Sequence, residues 1–180
     1  VDTGSRLIQL EIEDDWQVVV DMGAPGFEPG ALPFDAQGEA NVYQLDVAGE
    51  TVEISAISLG NPHAVLLVDD VDTAPVERLG PAIERHSRFP RRTNVGFACP
   101  ITRSKIRLRV WERGVGETLA CGSGACAAAV ACHRLGRIDE EIEVELPGGI
   151  ASVRWPGQGP VFLRGPAVTV YRGEIDPDAL

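Results

Sequence analysis

Nowhere in the 180 residues does an apolar run approach the roughly 20 residues that a membrane-spanning helix needs, and no basic stretch leads into an apolar one at the N-terminus. A spanning segment and a secretory signal are therefore not expected, and the default location is the cytoplasm. Positive charge is also scarce. Sixteen Lys and Arg face 27 Asp and Glu, a formal net charge of −11, so nucleic acid and anionic membrane surfaces are repelled overall and neither is an expected partner. The four cysteines show no CxxC spacing and no accompanying histidine pair, which argues against a zinc site and for free thiols in a reducing compartment. Short-period repeats and low-complexity tracts are lacking too.

What is present reads as a strand-rich globular chain. Leu7 to Glu13 and Trp16 to Met22 pattern as two strands joined at Asp14-Asp15. A loop with three glycines and three prolines follows to Pro33. Val42 to Val47 and Thr51 to Leu59 form a second hairpin, and Ala64 to Val68 is a short apolar run suited to a buried strand, which leaves Asn61 and His63 in the turn before it. Asp72 or Thr73 is placed to cap a helix with Pro75 in its first turn and Val76, Leu79 and Ile83 on one face, ending near His86. Lys105 to Trp111 alternates as a strand. Ala125 to Leu135 is alanine-rich without Gly or Pro and reads as a buried helix stopped by Gly136. Further strands are expected at Ile142 to Leu146, Ile150 to Trp155, Val161 to Leu163 and Ala167 to Tyr171. The expected fold is α+β, a mixed or antiparallel sheet wrapped around a central apolar helix.

Between the Lys105 strand and the buried helix lies Glu112-Arg113-Gly114-Val115-Gly116-Glu117-Thr118-Leu119-Ala120-Cys121-Gly122-Ser123-Gly124-Ala125-Cys126. It puts Cys121 where a helix begins. First-turn amides and the positive end of the helix dipole favour an anion, so the thiol there is expected to lose its proton more easily than an ordinary cysteine. Glycines on both sides of Ser123 allow close backbone approach, so the amides of Gly122, Ser123 and Gly124 could hold a carboxylate beside the sulfur. That combination points to acid–base chemistry on a small carboxylic acid. Cys126 and Cys132 fall inside the apolar helix as packing residues, and Cys99 has no evident partner.

The same glycines also fit G-x-G-x-x-A, the dinucleotide-binding fingerprint. That reading requires a strand running straight into the first glycine, whereas ten residues separate Trp111 from Gly122. Taken alone, Asn61, His63 and Asn94 each have a structural explanation in turns or packing.

Five segments together carry a family resemblance. Gly60-Asn61-Pro62-His63, then His86-x-x-Phe89-Pro90-x-x-x-Asn94-Val95-Gly96-Phe97, then Glu112-Arg113-Gly114, then Cys121-Gly122-Ser123-Gly124 and Leu146-Pro147-Gly148-Gly149 resemble, in order, the motifs of the diaminopimelate epimerases. Val20-Asp21-Met22-Gly23-x-Pro25 is similar to their inter-lobe region. The likeness covers essentially the whole chain, which looks like the family's C-terminal two-thirds.

The resemblance implies an enzyme that epimerises LL- to meso-diaminopimelate with two opposed cysteines and no cofactor, neither metal nor pyridoxal phosphate, in making lysine and peptidoglycan precursors. It implies Cys121 as one of the two cysteines and the amides of Gly122 and Ser123 at the reacting carboxylate. Arg113 would take the distal carboxylate, Glu112, Asn61 and Asn94 the distal ammonium and its surroundings, and His63 would stand near the site. The family's first motif, an Asp-Gly pair and then Cys-Gly-Asn-Gly, does not occur, so the chain is expected to lack its natural start and to carry half an active site, inactive by itself. Residues 22–166 would form the C-terminal lobe, and residues 1–21 and 167–180 would be remnants of the N-terminal one. The expected partners are a diamino dicarboxylate substrate, the missing lobe in cis and, since family members often pair, a second copy of the chain in a homodimer. Alternatives are another isomerase of the same fold, similar to the proline racemase or phenazine-biosynthesis groups, and a non-catalytic amino-acid-binding fragment.

Overall fold

The computed structural model describes residue 1, residues 7–174 and residue 176. Residues 2–6, 175 and 177–180, which belong to the expected lobe remnants, lie outside the described residues. In chain order the strands are β1 (Leu10–Ile12), β2 (Gln17–Asp21), β3 (Tyr43–Val47), β4 (Glu50–Ser58), β5 (Pro62–Leu67), β6 (Asn94–Thr102), β7 (Lys105–Glu112), β8 (Gly116–Thr118), β9 (Glu141–Leu146), β10 (Gly149–Arg154) and β11 (Phe162–Pro166). Two helices interrupt them, α1 (Val76–Glu84) and α2 (Gly122–Arg134).

Among the described residues the strands form one sheet in the order β1-β2-β11-β10-β9-β7-β6-β5-β4-β3, with β8 branching from β7. Two pairings, β5 with β6 and β7 with β9, are parallel, and the others are antiparallel. The fold is the expected α+β arrangement, with the sheet curled around α2. From Gly124 to Cys132 every residue of α2 is buried, and seven strands, β4 to β7 and β9 to β11, pack against it. Alanine makes this possible. A helix apolar all round must be surrounded, and short side chains let strands approach from several directions.

The central strands are buried on both faces, which is why they read as continuous apolar runs rather than alternating ones. On β5, Val65 faces the α2 core while Ala64 and Leu66 face a second core beneath α1; on β6, Ala98 faces α2 while Val95 and Phe97 face α1. Helix α1 adds Val76, Leu79 and Ile83 to that second core, as its spacing predicts.

The structure departs from expectation at four places. Helix α1 starts at Val76 behind Pro75 and has no side-chain cap, because Asp72 instead takes Arg107 in a two-pronged ion pair at 2.9 and 3.0 Å. Its end at Glu84, with Arg85 as C-cap, lies close to the expected stop near His86. His63 belongs to β5 and not to the preceding turn. The last strand runs from Phe162 to Pro166 against β2, and residues 167–171 form no strand. Val168, Val170 and Tyr171 are 78–89% exposed, so their alternating pattern has no surface to lie on. At the other end, Trp16 joins a 3-10 turn, Asp14–Trp16, with φ 61° where a strand was expected to begin.

Gly80 marks the tightest contact between α1 and the sheet. A Cβ there would lie 2.7–2.9 Å from three atoms of the Trp111 side chain. Gly80→Ala is expected to lower stability in urea unfolding, since overpacking of about 1–3 kcal/mol outweighs the roughly 1 kcal/mol that alanine contributes in a helix.

Candidate active site

Four separated segments meet at one edge of the sheet because of strand direction. Strands β5 and β6 both start there, and their parallel register sets His63 opposite Asn94. Strand β7 runs the other way and ends there, with Trp111 opposite Val95, so Glu112 and Arg113 emerge beside Asn94. Helix α2 begins at the same edge, with Cys121 as its N-cap in extended backbone (φ −138°, ψ 106°).

Hydrogen bonds tie these segments together. Asn94 donates through Nδ2 to the Pro62 carbonyl at 3.1 Å and accepts the Arg113 amide on Oδ1 at 2.9 Å. His63 Nε2 lies 3.1 Å from Asn61 Oδ1; an amide oxygen only accepts, so this nitrogen carries the proton. Asn61 donates in turn through Nδ2 to Ser123 Oγ at 3.3 Å, and that oxygen lies 3.8 Å from Cys121 Sγ. The chain His63, Asn61, Ser123 thus leads to the thiol. Arg113 donates to the Arg91 carbonyl at 3.2 Å. Glu112 accepts the Thr118 hydroxyl at 2.5 Å and also stands beside the Cys121 thiol. All eight residues named from the sequence, Asn61, His63, Asn94, Glu112, Arg113, Cys121, Gly122 and Ser123, therefore fall at this edge.

The thiol itself differs from expectation. Burial pushes the Cys121 thiol above its ordinary range; the Gly124 amide and the Ser123 hydroxyl pull it down, and Glu112 pushes it up again. Only 7% of the residue is exposed. The helix start does favour the thiolate, but desolvation and a neighbouring carboxylate outweigh it. Cys126 and Cys132, deep in α2, are pushed up to about 12 by burial, as packing residues should be. Cys99 has a partner after all, donating to the Asp69 carbonyl at 3.1 Å. Among the described residues no three His, Cys, Asp or Glu side chains cluster so as to hold a metal ion.

The glycines flanking Ser123 also serve packing. A Cβ on Gly122 would lie 2.9 Å from Leu163 Cδ2, and one on Gly124 would lie 3.1 Å from Val110 Cγ2 and 3.2 Å from Cys121 Sγ. Sequence reasoning missed Glu84. It is 2% exposed, and its carboxylate accepts the Trp111 ring N–H and the Gly114 amide, each at 2.9 Å. The signal was present in the Gly80 and Glu84 spacing, which places both on the α1 face toward Trp111.

A cysteine at a helix start, encircled by a curled sheet and met by polar residues from neighbouring strand ends, belongs to a fold that is also seen in solved structures of a hydroxyproline epimerase and a probable proline racemase. It matches the hydroxyproline epimerase of Agrobacterium vitis, solved with bound trans-4-hydroxy-L-proline, with a TM-score of 0.61 at 17% identity over 90% of this chain and 55% of that one. It matches a probable proline racemase of Agrobacterium radiobacter K84 with a TM-score of 0.59 at 16% identity over 89% and 54%. In sequence, residues 55–170 match the family model described as diaminopimelate epimerase. The diaminopimelate epimerase of Ectopseudomonas mendocina is 55% identical over 176 residues, and that of Thioalkalivibrio sulfidiphilus 54% over 178. The chain belongs to the diaminopimelate epimerase family. These alignments take in 97% and 98% of the chain, which spans about 64% of the length of each relative.

His63 provides a test of the site's electrostatics. Burial, with the nearby Arg113 charge, lowers it from the ordinary 6.5 to about 3. The unfolded chain therefore binds a proton that the folded chain refuses. The resulting stability is intact above pH 6.5 and lost as pH falls toward 3, by roughly 1.4 kcal/mol per pH unit at full effect. Urea unfolding between pH 7 and 4 should show a shallower acid dependence in His63→Gln than in the parent.

Proposed function

We propose that this chain carries one half of the active site of a cofactor-independent epimerase that interconverts LL- and meso-diaminopimelate. The observation that carries the reading is the surroundings of Cys121: a nearly buried thiol at the start of α2, bounded by the Ser123 hydroxyl, the Gly124 amide and the Glu112 carboxylate. Epimerisation removes the α-proton from one face and returns a proton to the other. Cys121 serves one face, and a second cysteine, on a lobe supplied in cis, serves the other.

Each neighbour has a physical task in this scheme. With its thiol favoured by burial, Cys121 is a proton donor at rest. To act as a base it first yields its proton to Glu112, whose carboxylate is close enough to raise the thiol. The amides of Gly122 and Ser123 hold the reacting carboxylate and stabilise charge that spreads onto its oxygens as the α-proton leaves. Arg113 takes the distal carboxylate in a two-pronged grip, while Asn61 and Asn94 bind the distal ammonium and its surroundings. His63, neutral by burial, keeps Asn61 oriented.

In this reading residues 22–166 form the lobe that bears Cys121, and the outlying β1 and β2 with residues 167–174 belong with the second lobe. No helix of the described residues is long and apolar enough to cross a membrane. All four cysteines are unpaired, which fits the reducing cytoplasm.

The test is deuterium exchange at the substrate's α-carbon in D2O, with the chain fused behind the N-terminal third of the Ectopseudomonas mendocina relative. Cys121→Ala should abolish turnover of both isomers, and exchange at the parental rate would refute the assignment. Arg113→Met should raise KM roughly 10- to 150-fold for diaminopimelate, as loss of a charged hydrogen-bonding partner predicts, and should leave monocarboxylate substrates little affected.

A further inference from the structure

We propose that Glu84 is a positioning residue that staples the turn carrying Glu112 and Arg113, and so holds Glu112 against the Cys121 thiol. The inference deepens the epimerase reading and rests on it for what the site does, although its test does not require turnover.

The argument begins with where the two donors lie. The Glu84 carboxylate accepts from the Trp111 ring nitrogen and from the Gly114 amide, each at 2.9 Å. Those residues immediately flank Glu112 and Arg113 in sequence, so one carboxylate clamps both ends of the pair. The main chain of Glu84 extends the clamp, because its carbonyl accepts the Thr93 amide at 3.2 Å, next to Asn94, whose Oδ1 receives the Arg113 amide. Helix α1 is pressed onto this turn through Gly80, where no Cβ fits against Trp111.

A structural role alone does not call for a charge here. Glu84 is 2% exposed, and burying a carboxylate is costly unless donors surround it. Burial would push it up, yet the Trp111 ring N–H, the Gly114 amide and the charges of Arg85 and Arg92 outweigh that and hold it below the usual carboxylate range. Arg92 approaches from the solvent side at 3.6 Å. An ionised, two-oxygen acceptor fits a task that an apolar side chain cannot perform: holding a backbone amide and an indole N–H at a set separation.

The experiment uses the 180-residue chain and reads the alkylation of Cys121 by iodoacetamide against pH, with mass spectrometry of the Cys121 peptide. The thiol is faced by Glu112, the Ser123 hydroxyl, the Gly124 amide and Cys126. Glu112→Gln removes the nearby negative charge and should lower the midpoint by about one pH unit. Glu84→Asp keeps the charge but draws the carboxylate back by one methylene, so that it cannot span both donors; it should lower the midpoint in the same direction. Combined with Glu112→Gln it should add nothing further. Glu84→Gln, which keeps the shape, serves as a second variant should the aspartate fail to fold, and it should likewise have no effect in the Glu112→Gln background. The proposal is overturned if Glu112→Gln leaves the midpoint in place. It is equally overturned if the Glu84 variants lower only the melting temperature, or if their shifts add to that of Glu112→Gln as a distant charge effect would. Failure of the epimerase reading would appear separately, as absent α-carbon exchange with these midpoint shifts intact.

Discussion

Everything in this molecule depends on enclosing one helix. Because α2 is apolar around its whole circumference, the sheet must wrap it, and wrapping leaves open only the ends of the helix. The N-terminal end is the one where β5 and β6 begin and β7 stops. A single constraint, burial of a run of alanines and cysteines, thereby selects the place where the Cys121 thiol and its polar neighbours meet. The same enclosure sets the character of that thiol, since a sulfur partly inside the wrapping feels desolvation more strongly than the dipole of the helix it caps.

The polar residues form two layers with distinct duties. Nearest the sulfur are Ser123, the Gly124 amide and Glu112, which bear directly on its protonation. Behind them, His63, Asn61, Asn94 and Glu84 hold those groups and Arg113 in register through bonds that cross between strand ends. Two of the outer residues, His63 and Glu84, are buried titratable groups with opposite fates. His63 is neutral because nothing nearby favours its charge, and Glu84 is ionised because donors from two other segments converge on it.

Much of this was legible in the residues. The hairpin of β3 and β4, the buried run of β5, the apolar α2 and the strands β9 and β10 all follow from periodicity and from Gly or Pro punctuation. Cys121 was legible as a helix start because a glycine-rich turn precedes an alanine run. The tertiary partners were not. Nothing local states that β5 and β6 pair in parallel, yet that register alone puts His63 beside Asn94. Nor does a glutamate at the end of a short helix announce that it accepts bonds from a tryptophan and a glycine some thirty positions later. The thiol's direction was misjudged for the same reason: helix-end electrostatics are local and readable, whereas desolvation depends on what the rest of the chain does. The extra strand at Ala167 to Tyr171 failed because an alternating pattern specifies a strand only where a neighbouring edge and an apolar surface receive it.

The pairing of β2 with β11 has a consequence for how such a sheet assembles. Strand β2 (Gln17–Asp21) and β11 (Phe162–Pro166) are far apart in sequence, yet Val20 is set opposite Leu163, so this junction closes a very long loop. Contacts of such long range form late and slowly, after the loop entropy has been overcome by everything between them. Until β11 is made, Val18 to Val20 lie beside an unfilled edge. Chains in which Phe162 to Pro166 have not yet docked present that edge to other chains, which invites edge-to-edge association.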